Sequence, residues 1–243
     1  MELLTYSTPK HILAATSAST NYDLAINKED NQMGIYNRQQ LISQLNSTPQ
    51  QWIFAGQNHT TNIKKVSKED GNSGVFDFNS SIKNCDGLYT FEKNLYLGFV
   101  HADCVPIIFY DTKTNLIGVI HCGWPGTFKE ATKIMLMKMI EDEKINPLDI
   151  KVIIGPCLEV NSCAIKIDTK DCPAYLRRYL TPLNNGLFQI NNRAMNYHML
   201  LDVGISPQNI NNYNLDTYSN ETTFFSVMRD QTSKRNITFI SQK

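Results

Sequence analysis

Two short apolar runs, residues 105–110 and 116–120, flank the segment Asp111-Thr112-Lys113-Thr114-Asn115. Both runs are rich in β-branched and aromatic side chains, and the five residues between them favour a turn. The pattern predicts an antiparallel hairpin of buried strands. No other feature constrains the fold as firmly, because the hairpin also decides which polar residues meet at its open end. A two-residue loop at Thr112-Lys113 places Cys104 directly opposite His121, and a longer loop shifts the pairing by one or two positions. Opposed residues of an antiparallel pair have Cβ atoms about 5 Å apart, close enough for two side chains to share one metal ion.

The rest of the chain is read outward from this hairpin. Residues 95–100 form another strand-like run upstream. Downstream, Gly123-Trp124-Pro125-Gly126 breaks the chain. Thr127, with Glu130 three residues later, has the form of a capping box and predicts a helix to about Asp142. Ala131, Ile134, Met135 and Met139 recur there at helical spacing as a core face. Residues 52–55, 150–154, 222–227 and 236–241 read as strands, and 173–180 and 194–203 as helices. The polar stretch 64–84 reads as a surface excursion, and the Asn-rich stretch 181–192 as loosely organised. Neither separates two hydrophobic cores. One domain over residues 1–243 is expected, an α/β (α+β) fold of mixed sheets flanked by helices rather than a strict βαβ alternation.

Charge excludes some functions. The chain carries 23 basic and 23 acidic side chains, a balance that argues against a nucleic-acid partner or an anionic membrane surface. Its apolar stretches fall far short of the roughly 20 residues of a membrane helix. The N-terminus lacks the basic region and apolar run of a secretory signal, so a cytoplasmic enzyme is expected. In that compartment the six cysteines (85, 104, 122, 157, 163 and 172) are expected as free thiols or metal ligands rather than disulfides.

Cysteine thiolate with histidine imidazole is a donor set for zinc or copper, and three protein ligands with an open fourth position describe a catalytic site. The hairpin supplies Cys104 and His121. The third ligand is assigned to His59, in Gln57-Asn58-His59-Thr60-Thr61-Asn62, which leaves the end of the strand at 52–55. His101 lies three residues from Cys104 and on an extended chain points to the opposite face. Taken singly, each of these residues also has an ordinary structural reading: a hydrogen-bonded histidine, a buried thiol. The same Cys104–His121 pairing equally permits a metal-free hydrolase with a cysteine nucleophile. The helix predicted at Thr127 offers an anion site at its N-terminus or is simply a capped helix.

At these residues the sequence resembles the bacterial family variously called multicopper polyphenol oxidase, laccase-domain protein, peptidoglycan editing factor or purine nucleoside phosphorylase. The matching runs are Asn37-Arg38, Gln57 to Asn62, Cys85-Asp86-Gly87-Leu88-Tyr89-Thr90, Ala102-Asp103-Cys104-Val105-Pro106, His121-Cys122-Gly123-Trp124, Ile154-Gly155-Pro156 and Phe224-Phe225-Ser226 with Arg229. The resemblance covers nearly the whole chain. It implies a four-layer α/β/β/α sandwich and a metal, zinc with copper as the alternative, held by His59, Cys104 and His121. It further implies phosphorolysis of adenosine, inosine, guanosine or methylthioadenosine, together with adenosine deamination. Asn37, Arg38, Gln57, Lys129 and Arg229 are the expected substrate-binding residues for purine nucleoside and phosphate, in a monomer or weak homodimer. Copper-dependent phenol oxidation and a peptidoglycan-editing role are the alternatives that the family names carry.

The chain departs from the family pattern at several points. Pro125 stands where the family has Arg or Lys, Asp216 replaces a cysteine, Met228 an arginine, and Cys163-Ala164-Ile165 lacks a glutamate. Without the cation at position 125, weak phosphorolysis relative to the family is expected.

Overall fold

The computed structural model describes residues 1–26 and 31–243. In chain order the strands are β1 (Leu3–Thr5), β2 (Ile12–Ser17), β3 (Trp52–Gly56), β4 (Ile63–Lys65), β5 (Ile82–Lys83), β6 (Gly87–Thr90), β7 (Tyr96–His101), β8 (Val105–Asp111), β9 (Leu116–Cys122), β10 (Lys151–Ile154), β11 (Ile165–Lys166), β12 (Leu180–Pro182), β13 (Leu187–Ile190), β14 (Ile210–Asn212) and β15 (Asn236–Gln242). The α-helices are α1 (Gln32–Gln44), α2 (Trp124–Phe128), α3 (Ala131–Glu143), α4 (Asn192–Asp202) and α5 (Val227–Asp230).

Two six-stranded mixed sheets form, in the orders β1-β2-β15-β7-β3-β5 and β14-β10-β8-β9-β6-β4, with β11-β13-β12 as a small third sheet. Alternation along the strands sorts side chains into layers. Ile108, Ile117 and Val119 of the second sheet meet Ile53, Leu97 and Phe99 of the first in a core between the sheets. Ile107, Phe109 and Ile120 point the other way, onto Met135, Leu136 and Met139 of α3 and Leu200 of α4. On the far side of the first sheet, Trp52, Phe54 and Phe239 pack with Leu41 and Ile42 of α1. The result is the four-layer α/β/β/α sandwich. Among the described residues no helix is long and apolar enough to cross a membrane.

Several local expectations are corrected. The β8–β9 loop has four residues, with Asp111 paired to Leu116 and Pro106 to His121. Asp111 accepts the Lys113 amide and the Thr114 hydroxyl at 2.8 Å each, an Asx turn that lengthens the loop. Cys104 therefore lies two residues beyond His121's partner, on the same face. Thr127 does not start a helix: it is buried inside the one-turn α2, which Gly123 precedes, and α3 begins only at Ala131, after Glu130 in the left-handed region. Ile134 is exposed rather than part of the core face.

Residues 222–227 are not a strand, because Phe225 exchanges its backbone hydrogen bonds with the Asn236 side chain. Residues 174–179 are a 3-10 turn rather than an α-helix. The stretch 64–84 is tied down more firmly than its polarity indicates, since Val75 is fully buried and strand β5 lies within it. The stretch 181–192 supplies most of the small third sheet.

Candidate metal centre

His59, Cys104 and His121 converge at one end of the sandwich, with one ligand atom from each lying within 4.8 Å of the others. Among the described residues this is the one such cluster of three or more potential ligands. Each side chain arrives from a different segment. His59 follows β3 of the first sheet, Cys104 sits in the bend that carries the chain from β7 to β8, and His121 is in β9 of the second sheet. The centre thus sits on the seam between the sheets, where the Phe99 ring packs edge-on against His121 at 5.6 Å.

Asp86 organises two of the three ligands and is fully buried. One carboxylate oxygen lies 2.9 Å from His121 Nδ1. An ionised carboxylate only accepts, so Nδ1 carries a proton and Nε2 is the nitrogen that would hold a metal, giving up its own proton to do so, the carboxylate–histidine arrangement of metal sites. The same carboxylate accepts the amides of Asn58, His59 and Thr60 and the Thr60 hydroxyl, at 2.7–3.2 Å. This wraps residues 58–60 around an anion and holds His59 at φ 54°, a conformation that costs a non-glycine residue on the order of 1–3 kcal/mol. Burial alone would raise the Asp86 pKa. The hydrogen bond and charge of His121, with the Thr60 and Asn58 amides, outweigh it and hold the carboxyl at about 2. For His121 burial works to lower the pKa, but Cys104 and Asp86 override it and raise it to about 9.

The Cys104 turn has a support of the same kind. Asp103 lies at φ 82°, and its carboxylate accepts the Thr217 hydroxyl at 2.6 Å and the Met228 amide at 2.8 Å. That turn also changes the argument about His101. The chain is not extended through 101–104, and His101 faces the same cleft as Cys104. Its Nε2 lies 2.8 Å from the Thr238 hydroxyl, and it is not one of the three clustered ligands.

Two further observations fit a metal between the three side chains. His59 Nδ1 is buried without a hydrogen-bond partner, a cost that a bound cation removes. A Cβ on Gly123 would lie 2.3 Å from His59 Cε1, 2.5 Å from His59 Nδ1 and 2.9 Å from Cys104 Sγ. Only the hydrogen of glycine lets the backbone come so close to two ligands. A soft thiolate with two imidazoles suits zinc or copper.

The centre opens into a cleft of about 540 Å³, a volume that accommodates a small organic ligand. Gln57 lines it, but its amide is engaged by the Val100 backbone, donating at 2.7 Å and accepting at 3.0 Å. The structure does not bring the other expected substrate-binding residues to this cleft. Asn37 and Arg38 are buried under the first sheet, Asn37 donating to Asp23 O and Arg38 to the carbonyls of Leu24, Gly74 and Val75. Arg229 pairs with Asp230 and donates to three loop carbonyls beside a separate surface depression. Lys129 is exposed and reaches only the His59 carbonyl, at 3.2 Å.

Asp86 and Gly123, motif residues to which the sequence alone assigns no role, are central here. An acidic residue directly preceding an apolar strand was the available signal for Asp86. All six cysteines are free. Cys157, on which burial acts first, has its pKa pushed up to about 12 and is a packing residue.

A family model described as multi-copper polyphenol oxidoreductase laccase matches residues 8–243. The purine nucleoside phosphorylase YlmD of Bacillus subtilis is 32% identical over 230 residues, covering 93% of this chain and 82% of that protein. Among solved structures, YlmD from Geobacillus stearothermophilus superposes with a TM-score of 0.91 at 27% identity, covering 99% of this chain and 96% of the other. The Bacillus licheniformis hypothetical protein YfiH gives 0.90 at 28% identity with the same coverage.

Proposed function

The chain belongs to the multi-copper polyphenol oxidoreductase laccase family, and from that premise we propose that it is a zinc-dependent purine nucleoside phosphorylase with adenosine deaminase activity. The single observation that carries the reading is the three-ligand cluster lining a nucleoside-sized cleft. Relatives named purine nucleoside phosphorylase, matched over nine-tenths of this chain, support the substrate class. One His₂Cys cluster among the described residues fits a single zinc better than the several coppers that phenol oxidation with oxygen requires. Balanced charge and six free thiols fit a cytoplasmic enzyme, monomeric or weakly dimeric.

A zinc ion held by His59, Cys104 and His121 supplies a Lewis acid and lowers the pKa of bound water. The protein's own groups do the rest. Asp86 fixes the His121 ring and the His59 turn, Asp103 fixes the Cys104 turn, and Trp124 and Ile190 give the cleft apolar walls. In deamination the oxygen of water bonds to purine C6 as the C6–N bond breaks, leaving a 6-oxo purine, and the amino group departs as ammonia with a proton from the water. Phosphorolysis joins phosphate to ribose C1′ and releases the base.

Incubation of the purified protein with adenosine, inosine, guanosine or methylthioadenosine plus phosphate is expected to release free base, with about one zinc per chain by metal analysis. No base from any of the four would overturn the reading. Cys104→Ala is expected to lose metal and base release together. Its melting temperature should match that of the chelated wild type, because a core of this size does not rest on one ion. Full metal occupancy in the variant refutes the ligand assignment.

Pro125 sits in the first turn of α2, where its missing N–H costs nothing, and the adjacent Trp124 lines the cleft. Pro125→Arg is expected to lower the phosphate KM roughly tenfold through charge-assisted hydrogen bonds and to raise the ratio of phosphorolysis to deamination. An unchanged ratio would show that position 125 does not reach phosphate.

A further inference from the structure

Phosphorolysis brings a phosphate dianion into the cleft, and recognition of its three oxygens calls for cationic N–H donors in addition to a metal. Arg38 and Arg229 are committed to backbone carbonyls elsewhere, and Lys129 does not line the cleft. Among the described residues, one arginine or lysine does line it: Arg235. We propose that Arg235 is the phosphate-binding residue of this cleft, an assignment that rests on the phosphorylase reading and sharpens it.

Position supports the assignment. Asn236, the first residue of β15, pairs with His101, the last of β7. Arg235 is therefore one residue beyond that pair, alongside the short segment that leads to Cys104. Its main chain is clamped on both sides, the N–H donating to Asp23 Oδ1 at 3.0 Å and the carbonyl accepting the Leu24 amide at 3.2 Å. Nη1 of the guanidinium donates to the Thr232 and Lys234 carbonyls at 3.0 and 2.8 Å. Nε and Nη2 hydrogen-bond to none of the described residues. One side of the fork is thus anchored and the other remains for a ligand, an arrangement suited to bidentate phosphate recognition.

The neighbouring His101 cannot take the same role. Its ring is fully buried and its Nε2 is engaged by the Thr238 hydroxyl at 2.8 Å. In the reaction a phosphate oxygen forms the bond to C1′ as the C1′–N9 bond breaks. That electron pair leaves with the purine, which takes up the proton given up by hydrogenphosphate.

The test uses the metal-loaded full chain with Arg235→Gln and Arg235→Lys. The Gln variant is expected to raise the phosphate KM roughly tenfold or more while the nucleoside KM stays within about threefold and the metal content is unchanged. The Lys variant, which keeps the charge but not the fork, should fall between Gln and wild type. Deamination, which uses water, should be spared. A phosphate KM in the Gln variant equal to that of the wild type overturns the assignment while the phosphorylase reading stands. If the wild type releases no base, the phosphorylase reading fails by itself, and calorimetric titration with inorganic phosphate still decides the residue. Binding by wild type that is lost in Arg235→Gln supports Arg235, and equal binding by both, or none by wild type, overturns it. Melting temperatures near that of wild type, expected from the two main-chain anchors, establish that the variants are folded.

Discussion

Asp86→Ala is expected to remove about 3–5 kcal/mol of folding stability and, in the same variant, the ability to retain metal. Three backbone amides, the Thr60 hydroxyl and His121 Nδ1 converge on this one carboxylate at 2.7–3.2 Å. Alanine leaves all five groups without the acceptor in a fully buried place. The left-handed His59 turn then loses what compensates its strain, and His121 is free to rotate or to change tautomer. Denaturant unfolding and metal analysis on one preparation measure both effects. Asp86→Asn separates them: it keeps the shape but turns an NH₂ toward donors, so metal affinity should fall on the order of 10–100-fold with a smaller loss of stability. An alanine variant that keeps its metal would show that the three ligands hold their positions without Asp86.

Gly123→Ala is the smallest change with a comparable effect on the centre. The added methyl would come within 2.3 Å of His59 Cε1 and 2.9 Å of Cys104 Sγ, far inside van der Waals contact. Because β9 is held on both sides by β6 and β8, the ligands must yield rather than the strand. Overpacking of this kind costs about 1–3 kcal/mol. Displacing two of three ligands should lower metal affinity by on the order of 100-fold or more, since even outer partners are worth 10–100-fold. The signature is metal and activity lost together with only a modest fall in melting temperature. Retained metal with normal turnover would mean that the His59 ring can move aside without consequence.

The elements nearest the hairpin were the most legible in the sequence, for a physical reason. Strands β7 to β10 are nearly continuous apolar runs bounded by turn residues, and they lie within a residue or two of the expected bounds. The proximity of Cys104 and His121 followed from the hairpin alone, because a shift of two residues preserves the face. Helix α1 left little trace, since its buried side includes Asn37 and Arg38 beside Leu41 and Ile42. Arg38 reads as a ligand-binding cation in sequence and is spent on main-chain carbonyls in the fold, a difference that only tertiary contacts reveal. The capping box at Thr127 misled because Thr127 Oγ1 accepts from Asn196 at 2.9 Å rather than from its own helix. Arg235 carries no local sequence signal, because pairing with the β7 edge, not any motif, brings it to the cleft.

The order of strands in the first sheet also sets an order in time. Strand β15 lies between β2 and β7, so the Thr16–Thr238 hydroxyl contact spans 222 residues. Such closures are slow, because the entropy of a long loop is lost before the contact is gained. The three proposed ligands, by contrast, fall between residues 59 and 121, while the contacts that hold the Cys104 turn come later in the chain, from Thr217 and Met228. A growing chain can therefore bring His59 and His121 onto Asp86 early, but it fixes Cys104 only when residues 217–228 arrive, shortly before β15 inserts with Arg235. The metal centre and the cleft are thus completed together, late, by the segment that ends in the central strand of the first sheet.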